Sequence, residues 1–303
     1  MNDEKQNVLY LYDLLQIIKL NIKYILLISL IITISTSIIS LLLQDQYKSS
    51  MIARVVVLDD SSNLNIPSQY GALASIAGIN MPIQNQDRSA YVIETLKSKD
   101  FLKKIIQIPL VLENLIAIDK YIYDENKIIY DSNIYDSKTK TWVRVPDRGR
   151  SIKPSYIEVY ESFHNIFRVT QSKETGYLDI SVTHQSPIFA HDLLKLILKR
   201  INQITLEKDL QESTASLEYL ELILEKTPQP EIRELISLLI ESEIKKQMMM
   251  NINEFYALEP IDQAFIPEIK HSPKRLRISV LSFILSFIFS IFFVVLRRLI
   301  IVK

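Results

Sequence analysis

Two long apolar stretches, one near each end of the chain, dominate the pattern of hydrophobic and polar positions. Residues 24–43 hold thirteen Ile or Leu and no charge, and residues 278–296 contain only Val, Leu, Ile, Phe and Ser. Because a helix rises about 1.5 Å per residue, each stretch can cross a hydrocarbon core of roughly 30 Å. The pattern predicts two membrane-spanning helices, at 24–43 and 278–296.

A signal peptide is the competing interpretation of the first stretch, because Lys19 and Lys23 precede it. The run is longer than a typical signal-peptide core, and no A-x-A-like cleavage site follows it, so a span is favoured. Two spans predict a hairpin with the tails 1–23 and 297–303 on one side of the membrane. Basic residues flank the spans on both sides, so charge bias leaves the orientation open.

The region between the spans changes character near residue 187. Residues 44–187 combine short β-branched runs with one helical pattern, and we expect them to form an α/β base domain. A strand is predicted at 51–58 and a helix at 89–107. Two further strands, 167–171 and 177–184, flank a Lys-Glu-Thr-Gly turn and predict a β-hairpin.

Residues 188–258 predict a long antiparallel helical arm. Residues 188–226 hold no Gly or Pro, Pro228 and Pro230 interrupt the pattern, and a second helix follows. A coiled-coil-like seam of leucines runs along the first helix: Leu206, Leu210, Leu217, Leu220 and Leu224. A hairpin this thin cannot bury all its apolar surface, so we expect the arm to pack against copies of itself in a homo-oligomer.

A proline-rich segment, 259–277, leads into the second span. Its prolines disfavour helix in the residues before them, and its basic patch precedes the apolar run: Pro260, Pro267, Ser272, Pro273, Lys274, Arg275 and Arg277. Each cation of the patch can attract an anionic membrane lipid or an isoprenoid-phosphate head group. Interfacial snorkelling that sets the depth of the span is the equal alternative.

Composition and spacing argue against most catalytic sites. The net charge is zero, which does not point to a nucleic-acid partner, and the chain has no cysteine and only four glycines. The four histidines lack metal-ligand spacing, and His184 is expected to be structural. Asp59 and Asp60 form a possible glycosidase pair, but turn and cap hydrogen bonds are favoured for them. We predict no catalytic residue, no cofactor and no metal.

The order of these features resembles the Wzz family of chain-length determinants, also called polysaccharide co-polymerases. The likeness extends over nearly the whole chain, and the colinear set carries it rather than any single motif. Its matching stretches are Asp13-Leu14 and residues 47–49, 72–78, 96–102, 142–144, 183–187, 235–241, 261–264, 267 and 272–275. One departure is that many members have glycines in the second span and this chain has none. Any close helix contact there must use serine, namely Ser279, Ser282, Ser286 and Ser290.

The resemblance implies an α+β protein: a two-span membrane hairpin carrying a periplasmic α/β base and a long helical arm, assembled as a ring-forming oligomer, commonly an octamer. Both termini would be cytoplasmic, in the bacterial inner membrane. It implies a non-enzymatic regulator of the modal chain length of O-antigen or a related surface polysaccharide. The implied partners are a Wzy-type polymerase and lipid-linked polysaccharide.

Three other functions compete with this one. The first is a co-polymerase or export component for capsular or exopolysaccharide. The kinase-coupled branch of that class is disfavoured because no Walker motif or C-terminal tyrosine cluster is present. The second is a ligand-sensing receptor, for which we expect an output module beyond the second span. The third is a periplasmic glycosidase that would use Asp59 and Asp60.

Overall fold

The computed structural model describes residues 11–56, 85–146, 149–252 and 255–301. The predictions for Asp59, Asp60 and residues 72–78 lie outside the described residues. The chain divides into two compact units, one formed by Met1–Gln46 with Ile269–Lys303 and the other by Tyr47–Glu268. We refer to them as the membrane unit and the sheet unit.

The membrane unit is a pair of long helices, α1 (Leu11–Leu42) and α8 (Arg275–Ile301). Within them, Ile18–Leu42 and Arg275–Arg297 are long and apolar enough to cross a membrane. Helix α1 begins well before residue 24, because the amphipathic lead-in continues the helical pattern. Most apolar side chains of both helices point outward, as expected for helices whose solvent is lipid. The two apolar helices predicted near the ends of the chain are confirmed.

The sheet unit is built around four antiparallel strands in the order β6-β7-β1-β8. Their bounds are β1 Tyr47–Val55, β6 Phe167–Gln171, β7 Leu178–His184 and β8 Leu258–Asp262. The hairpin predicted from the Lys-Glu-Thr-Gly turn is confirmed, with Gly176 at a φ of 73° that favours glycine. The strand predicted at 51–58 begins four residues earlier in the structure, because β1 pairs with β7 from Tyr47 onward.

Helices cover one face of this sheet and enclose the core. They are α2 (Asn85–Lys97), α3 (Lys99–Ile105), α4 (Val111–Ile116), α5 (Tyr156–Ile166) and the first part of α6 (Pro187–Lys226). Alternate residues of β7 point inward, so Leu178, Ile180 and Val182 are fully buried against these helices. Ser186 caps α6 by accepting from the Phe189 N–H at 3.2 Å, ahead of Pro187 in the first turn.

Two small antiparallel hairpins lie between α4 and α5. They are formed by β2 (Ile118–Ile122) with β3 (Lys127–Tyr130), and by β4 (Tyr135–Asp136) with β5 (Thr141–Trp142). Trp142 packs on Tyr135, with 5.2 Å between ring centroids, and Tyr135 is buried. Trp142 is therefore part of a small aromatic cluster.

The arm consists of α6 and α7 (Pro230–Ile252), joined through the predicted break at Pro228. Arg233 closes the turn by donating to the carbonyl oxygens of Leu224 at 2.7 Å and Thr227 at 3.3 Å. These are carbonyls at the end of α6, which have no partner within the helix. A single guanidinium therefore stabilises the tip of the arm.

Candidate membrane interface and packing surfaces

Hydroxyl side chains form hydrogen bonds between the two apolar helices. Ser37 and Ser279 are 2.9 Å apart at their Oγ atoms, and Ser282 donates to Thr36 Oγ1 at 3.0 Å. One turn farther along, Ser286 donates to the carbonyl oxygen of Ser29 at 3.3 Å. Small side chains let helix backbones approach closely in lipid, and their hydroxyls bond across the contact.

The fourth serine of the stripe lies in the same contact. Ser290 is fully buried and donates to the Ser286 carbonyl oxygen at 2.7 Å within its own helix. The serine stripe noted in the sequence is thus the face that α8 turns toward α1. Serine takes the place that glycine would hold in a closer contact.

Arg275 joins the start of α8 to the end of α1. Its guanidinium donates to the carbonyl oxygens of Ser40 and Leu43, both at 3.3 Å, and pairs with Asp45 at 2.9 Å. Those carbonyls are at the C-terminal end of α1, where a cation is favoured by the helix dipole. Lys270 adds a weaker contact to Asp45 at 3.4 Å.

Backbone pairing fixes the same junction. The Gln46 N–H donates to the Ser272 carbonyl oxygen at 2.8 Å, and the His271 N–H donates to the Gln46 carbonyl oxygen at 2.8 Å. Of the predicted membrane-proximal residues, Ser272 and Arg275 therefore meet Asp45 and Gln46. The sequence analysis missed these last two, and their only signal was polarity directly after the first apolar run.

The other predicted residues of this segment are dispersed. Lys274 and Arg277 are exposed at the start of α8. Pro260 pairs with Ala53 inside β8, an edge strand that tolerates proline, and Pro267 is buried in the sheet unit. The first residues of the segment 259–277 therefore belong to the sheet as part of β8.

The predicted leucine seam lies along the inner side of the arm. Leu220 is buried, while Leu206, Leu210, Leu217 and Leu224 are half-buried. Ser213, the polar position within the seam, donates to Glu243 of α7 at 2.6 Å. Leu220 and Ser213 are thus enclosed within one chain.

A second set of apolar residues on the arm stays exposed: Tyr219, Leu222, Ile232, Leu238, Ile244, Met248 and Met249. Tyr219 is 59% exposed and Leu222 is 47% exposed, one helical turn apart on α6. A single chain thus leaves an apolar surface on the arm that it does not cover.

Asn202 lies where the arm leaves the sheet and where the chain returns to it. Its Oδ1 accepts from the backbone N–H groups of Tyr256 at 2.9 Å, Ala257 at 2.6 Å and Leu258 at 2.9 Å. Its Nδ2 donates to the carbonyl oxygens of Leu198 and Leu258, both at 2.9 Å. One buried amide thereby satisfies backbone groups on both sides of the base of the arm.

Tyr256 adds a polar group beside Asn202. Its hydroxyl donates to Asp209 at 2.6 Å, and the Arg88 guanidinium lies 5.3 Å from its ring centroid. Burial, followed by the hydrogen bond to Asp209 and then the negative charge of Asp209, raises the pKa of Tyr256. The tyrosine is therefore a neutral hydrogen-bond donor at physiological pH.

His184 is a structural histidine, as its position at a strand end predicted. Its Nδ1 accepts from the Ser186 N–H at 3.1 Å, so the neutral ring carries its proton on Nε2 and donates to the Asn114 carbonyl oxygen at 3.0 Å. Burial lowers the pKa of His184 to about 4. In the described ranges, no three His, Asp or Glu side chains converge as a metal site would require.

Comparison with known proteins finds a family model that matches the first third of the chain. Residues 8–108 match the family model described as "Wzz: Chain length determinant protein". No curated protein matches the chain.

Two solved structures are among those similar to it. One is described as a full-length bacterial polysaccharide co-polymerase, with 14% identity, a TM-score of 0.38 and coverage of 96% of this chain and 98% of that chain. The other is a fragment of WzzB, a polysaccharide co-polymerase from Salmonella Typhimurium, with 14% identity, a TM-score of 0.31 and coverage of 76% and 100%. The family match confirms the resemblance predicted from the residues, and over residues 8–108 the chain is similar to the Wzz chain length determinant proteins.

Proposed function

We propose that this protein sets the modal chain length of O-antigen or a related surface polysaccharide, without a catalytic step of its own. It acts as an oligomeric scaffold for a Wzy-type polymerase that extends lipid-linked polysaccharide. The observation that carries the proposal is the Wzz match over the first span and the start of the sheet unit. The pair of apolar helices and the helical arm supply the anchor and the scaffold that this role needs.

The proposed topology is that of a two-span protein of the bacterial inner membrane, with the sheet unit in the periplasm and both termini in the cytoplasm. The paired span helices support it, because helices joined along one face cross the bilayer as a hairpin. A cysteine-labelling experiment tests it. A single cysteine at Glu174, in the turn between β6 and β7, should react with a membrane-impermeant maleimide in intact spheroplasts.

The proposed oligomer forms through the exposed apolar side of the arm. Residues such as Tyr219 and Leu222 lose contact with water only if another chain covers them. A ring of such arms would hold several polymerase copies or present a surface along which the polymer is measured. The eightfold ring implied by the resemblance is the specific form that we propose.

Deletion of the gene tests the function. Without the protein, the O-polysaccharide ladder on a gel should lose its modal band and broaden, while polymer persists because the polymerase still works. Complementation with the intact gene should restore the mode. An unchanged ladder would reject the proposal, and complete loss of surface polymer would favour an export component instead.

A further inference from the structure

An open groove of about 590 Å³ runs between α1 and α8 in the membrane unit. Its lining includes Ile32 and Thr36 of α1 and Ile278, Leu281, Ser282 and Phe289 of α8. The hydroxyls in the groove are already bonded to the protein: Thr36 donates to the Ile32 carbonyl oxygen at 2.8 Å and Ser282 donates to Thr36. The groove therefore offers its occupant an apolar surface.

Two cations stand at one end of this groove. Lys274 occupies the N-cap position of α8, since the Ile278 N–H donates to the Lys274 carbonyl oxygen at 3.1 Å. Lys274 is four residues before Ile278 and eight before Ser282, and Arg277 is four residues before Leu281. At this helical spacing, each cation lies on the same side of α8 as the lining residues that follow it. Arg275, in contrast, is occupied by Asp45 and the end of α1. In the part of the chain that the structure describes, Lys274 and Arg277 have no anionic partner.

The length of the groove identifies the kind of lipid. The distance from Ile278 to Phe289 along the helix is about 16 Å at 1.5 Å per residue. Half of a hydrocarbon core of roughly 30 Å is about 15 Å, the depth that one phospholipid acyl chain fills. A polyprenyl chain is longer than one leaflet and would extend beyond the lined region.

We propose that the groove between α1 and α8 binds one anionic phospholipid, with its phosphate at Lys274 and Arg277 and an acyl chain along Ile278 to Phe289. The positive end of the α8 dipole strengthens the site for the phosphate. This inference rests on the membrane anchoring proposed above. The lipid would cover the open side of the helix pair, whose two helices otherwise contact each other through short hydroxyl side chains.

Native mass spectrometry of the delipidated full-length protein in detergent tests the site. Phosphatidylglycerol should bind in preference to phosphatidylcholine with the same acyl chains. Removing one cation by Lys274→Gln should weaken phosphatidylglycerol binding about fivefold, and adding Arg277→Gln should weaken it about 25-fold in total. The matched control is Arg297→Gln, a cation at the opposite end of α8, which should leave binding unchanged.

A second pair of variants tests the groove itself. Leu281→Trp fills the groove and should abolish the phosphatidylglycerol adduct, whereas Ile284→Trp lies on α8 outside the lining and should preserve it. Equal binding of the two phospholipids would overturn the proposal. Displacement of phosphatidylglycerol by a polyprenyl phosphate at equal concentration would also overturn it, by assigning the groove to a polyprenyl lipid.

Alkaline extraction of membranes separates this inference from the anchoring on which it rests. Each variant should remain in the membrane pellet, because neither cation nor groove residue determines the hydropathy of the spans. If the unmodified protein is extracted, the anchoring proposal fails and the inference fails with it. If the protein stays in the pellet but shows no preference for phosphatidylglycerol, the inference alone fails.

Discussion

At the scale of single residues, two buried polar side chains do the most to define the sheet unit. Asn202 bonds five backbone groups at the base of the arm, and His184 bridges the end of β7 to Asn114. Both are polar side chains with every strong hydrogen-bonding atom satisfied, so they add specificity without an uncompensated burial cost. Replacing either residue should therefore lower the free energy of unfolding far more than replacing an exposed polar residue.

Replacing Asn202 with leucine should lower the free energy of unfolding by about 3 kcal/mol or more. The variant leaves the three N–H groups of residues 256–258 without an acceptor, at about 1–3 kcal/mol for each unsatisfied group, partly relieved by relaxation. Urea titration of the full-length protein in mild detergent, followed by circular dichroism, measures the change. Gln203→Leu, at the exposed neighbouring position, is the control and should change stability little.

The pKa of His184 predicts a pH dependence of stability. The folded-state pKa of about 4 is below the usual 6.5, so the unfolded chain binds more protons between these values. The contribution is complete above pH 6.5 and is lost progressively as the pH falls toward 4, with about 2 kcal/mol lost between pH 7.5 and pH 5.

Denaturant titrations at several pH values check this expectation. In His184→Asn, the dependence attributable to this site should disappear, even though the variant is less stable at pH 7.5. Equal slopes in the variant and the unmodified protein would show that another group is responsible. His191→Asn, at a histidine that is only partly buried and bonded to Asp192, serves as the control.

At the scale of elements, α1 and α8 contact each other through hydrogen bonds of hydroxyl side chains rather than through close approach of their backbones. Interhelical hydrogen bonds of this kind contribute about 0.6 kcal/mol each in membrane proteins. The pairs at Ser279, Ser282 and Ser286 therefore fix the register of the helices more than they hold them together. Arg275 adds the stronger, charge-assisted link at the end of the pair.

Paired cysteines should report this register directly. The chain has no cysteine, so Ser37→Cys with Ser279→Cys introduces the only thiols, at positions whose side-chain oxygens are 2.9 Å apart. We expect an intramolecular disulfide under mild oxidation, because sulfur atoms at the positions of these two oxygens would lie near bonding distance. Ser37→Cys with Val280→Cys, whose second side chain points outward, should form much less.

A protease site introduced between the spans would make the disulfide visible on a gel. Oxidised Ser37→Cys/Ser279→Cys protein should keep its two fragments together after cleavage, and reduction should release them. Separation of the fragments without reduction would contradict the register described here.

The elements themselves were largely predictable from the sequence, while the joints between them were not. Apolar runs identify the spans, the Lys-Glu-Thr-Gly turn identifies the β6–β7 hairpin, and the proline break identifies the arm, because each of these signals is local in the sequence. The partnership of Asp45 with Arg275 joins residues far apart in sequence, and no local pattern contains it. Asn202 was detectable only as a polar residue between Ile201 and Thr205 on a buried helix face.

At the scale of the whole molecule, the arm has two apolar sides with different roles. One side, marked by Leu220, is enclosed within the chain, and the other, marked by Tyr219 and Leu222, is exposed. Under the proposed function, the enclosed side maintains the hairpin and the exposed side joins neighbouring chains. Stability and assembly should therefore respond to different substitutions.

Replacing Tyr219 and Leu222 with glutamate should reduce the oligomer without unfolding the chain. Like charges on facing arms would repel, whereas each side chain is solvent-exposed in a single chain, so monomer stability should change by less than about 1 kcal/mol. Light scattering coupled to size-exclusion chromatography measures the mass. Glu221→Gln is the control, and Leu220→Ala should show the reverse effect, with lower stability by about 2–4 kcal/mol.

The closure at Asn202 makes the arm a separable part of the protein. The arm leaves the sheet at this residue and returns to it at Tyr256, which Asn202 contacts, so the arm begins and ends at one place. Chimaeras cut at these two positions could receive an arm of another length while strands and anchors keep their register.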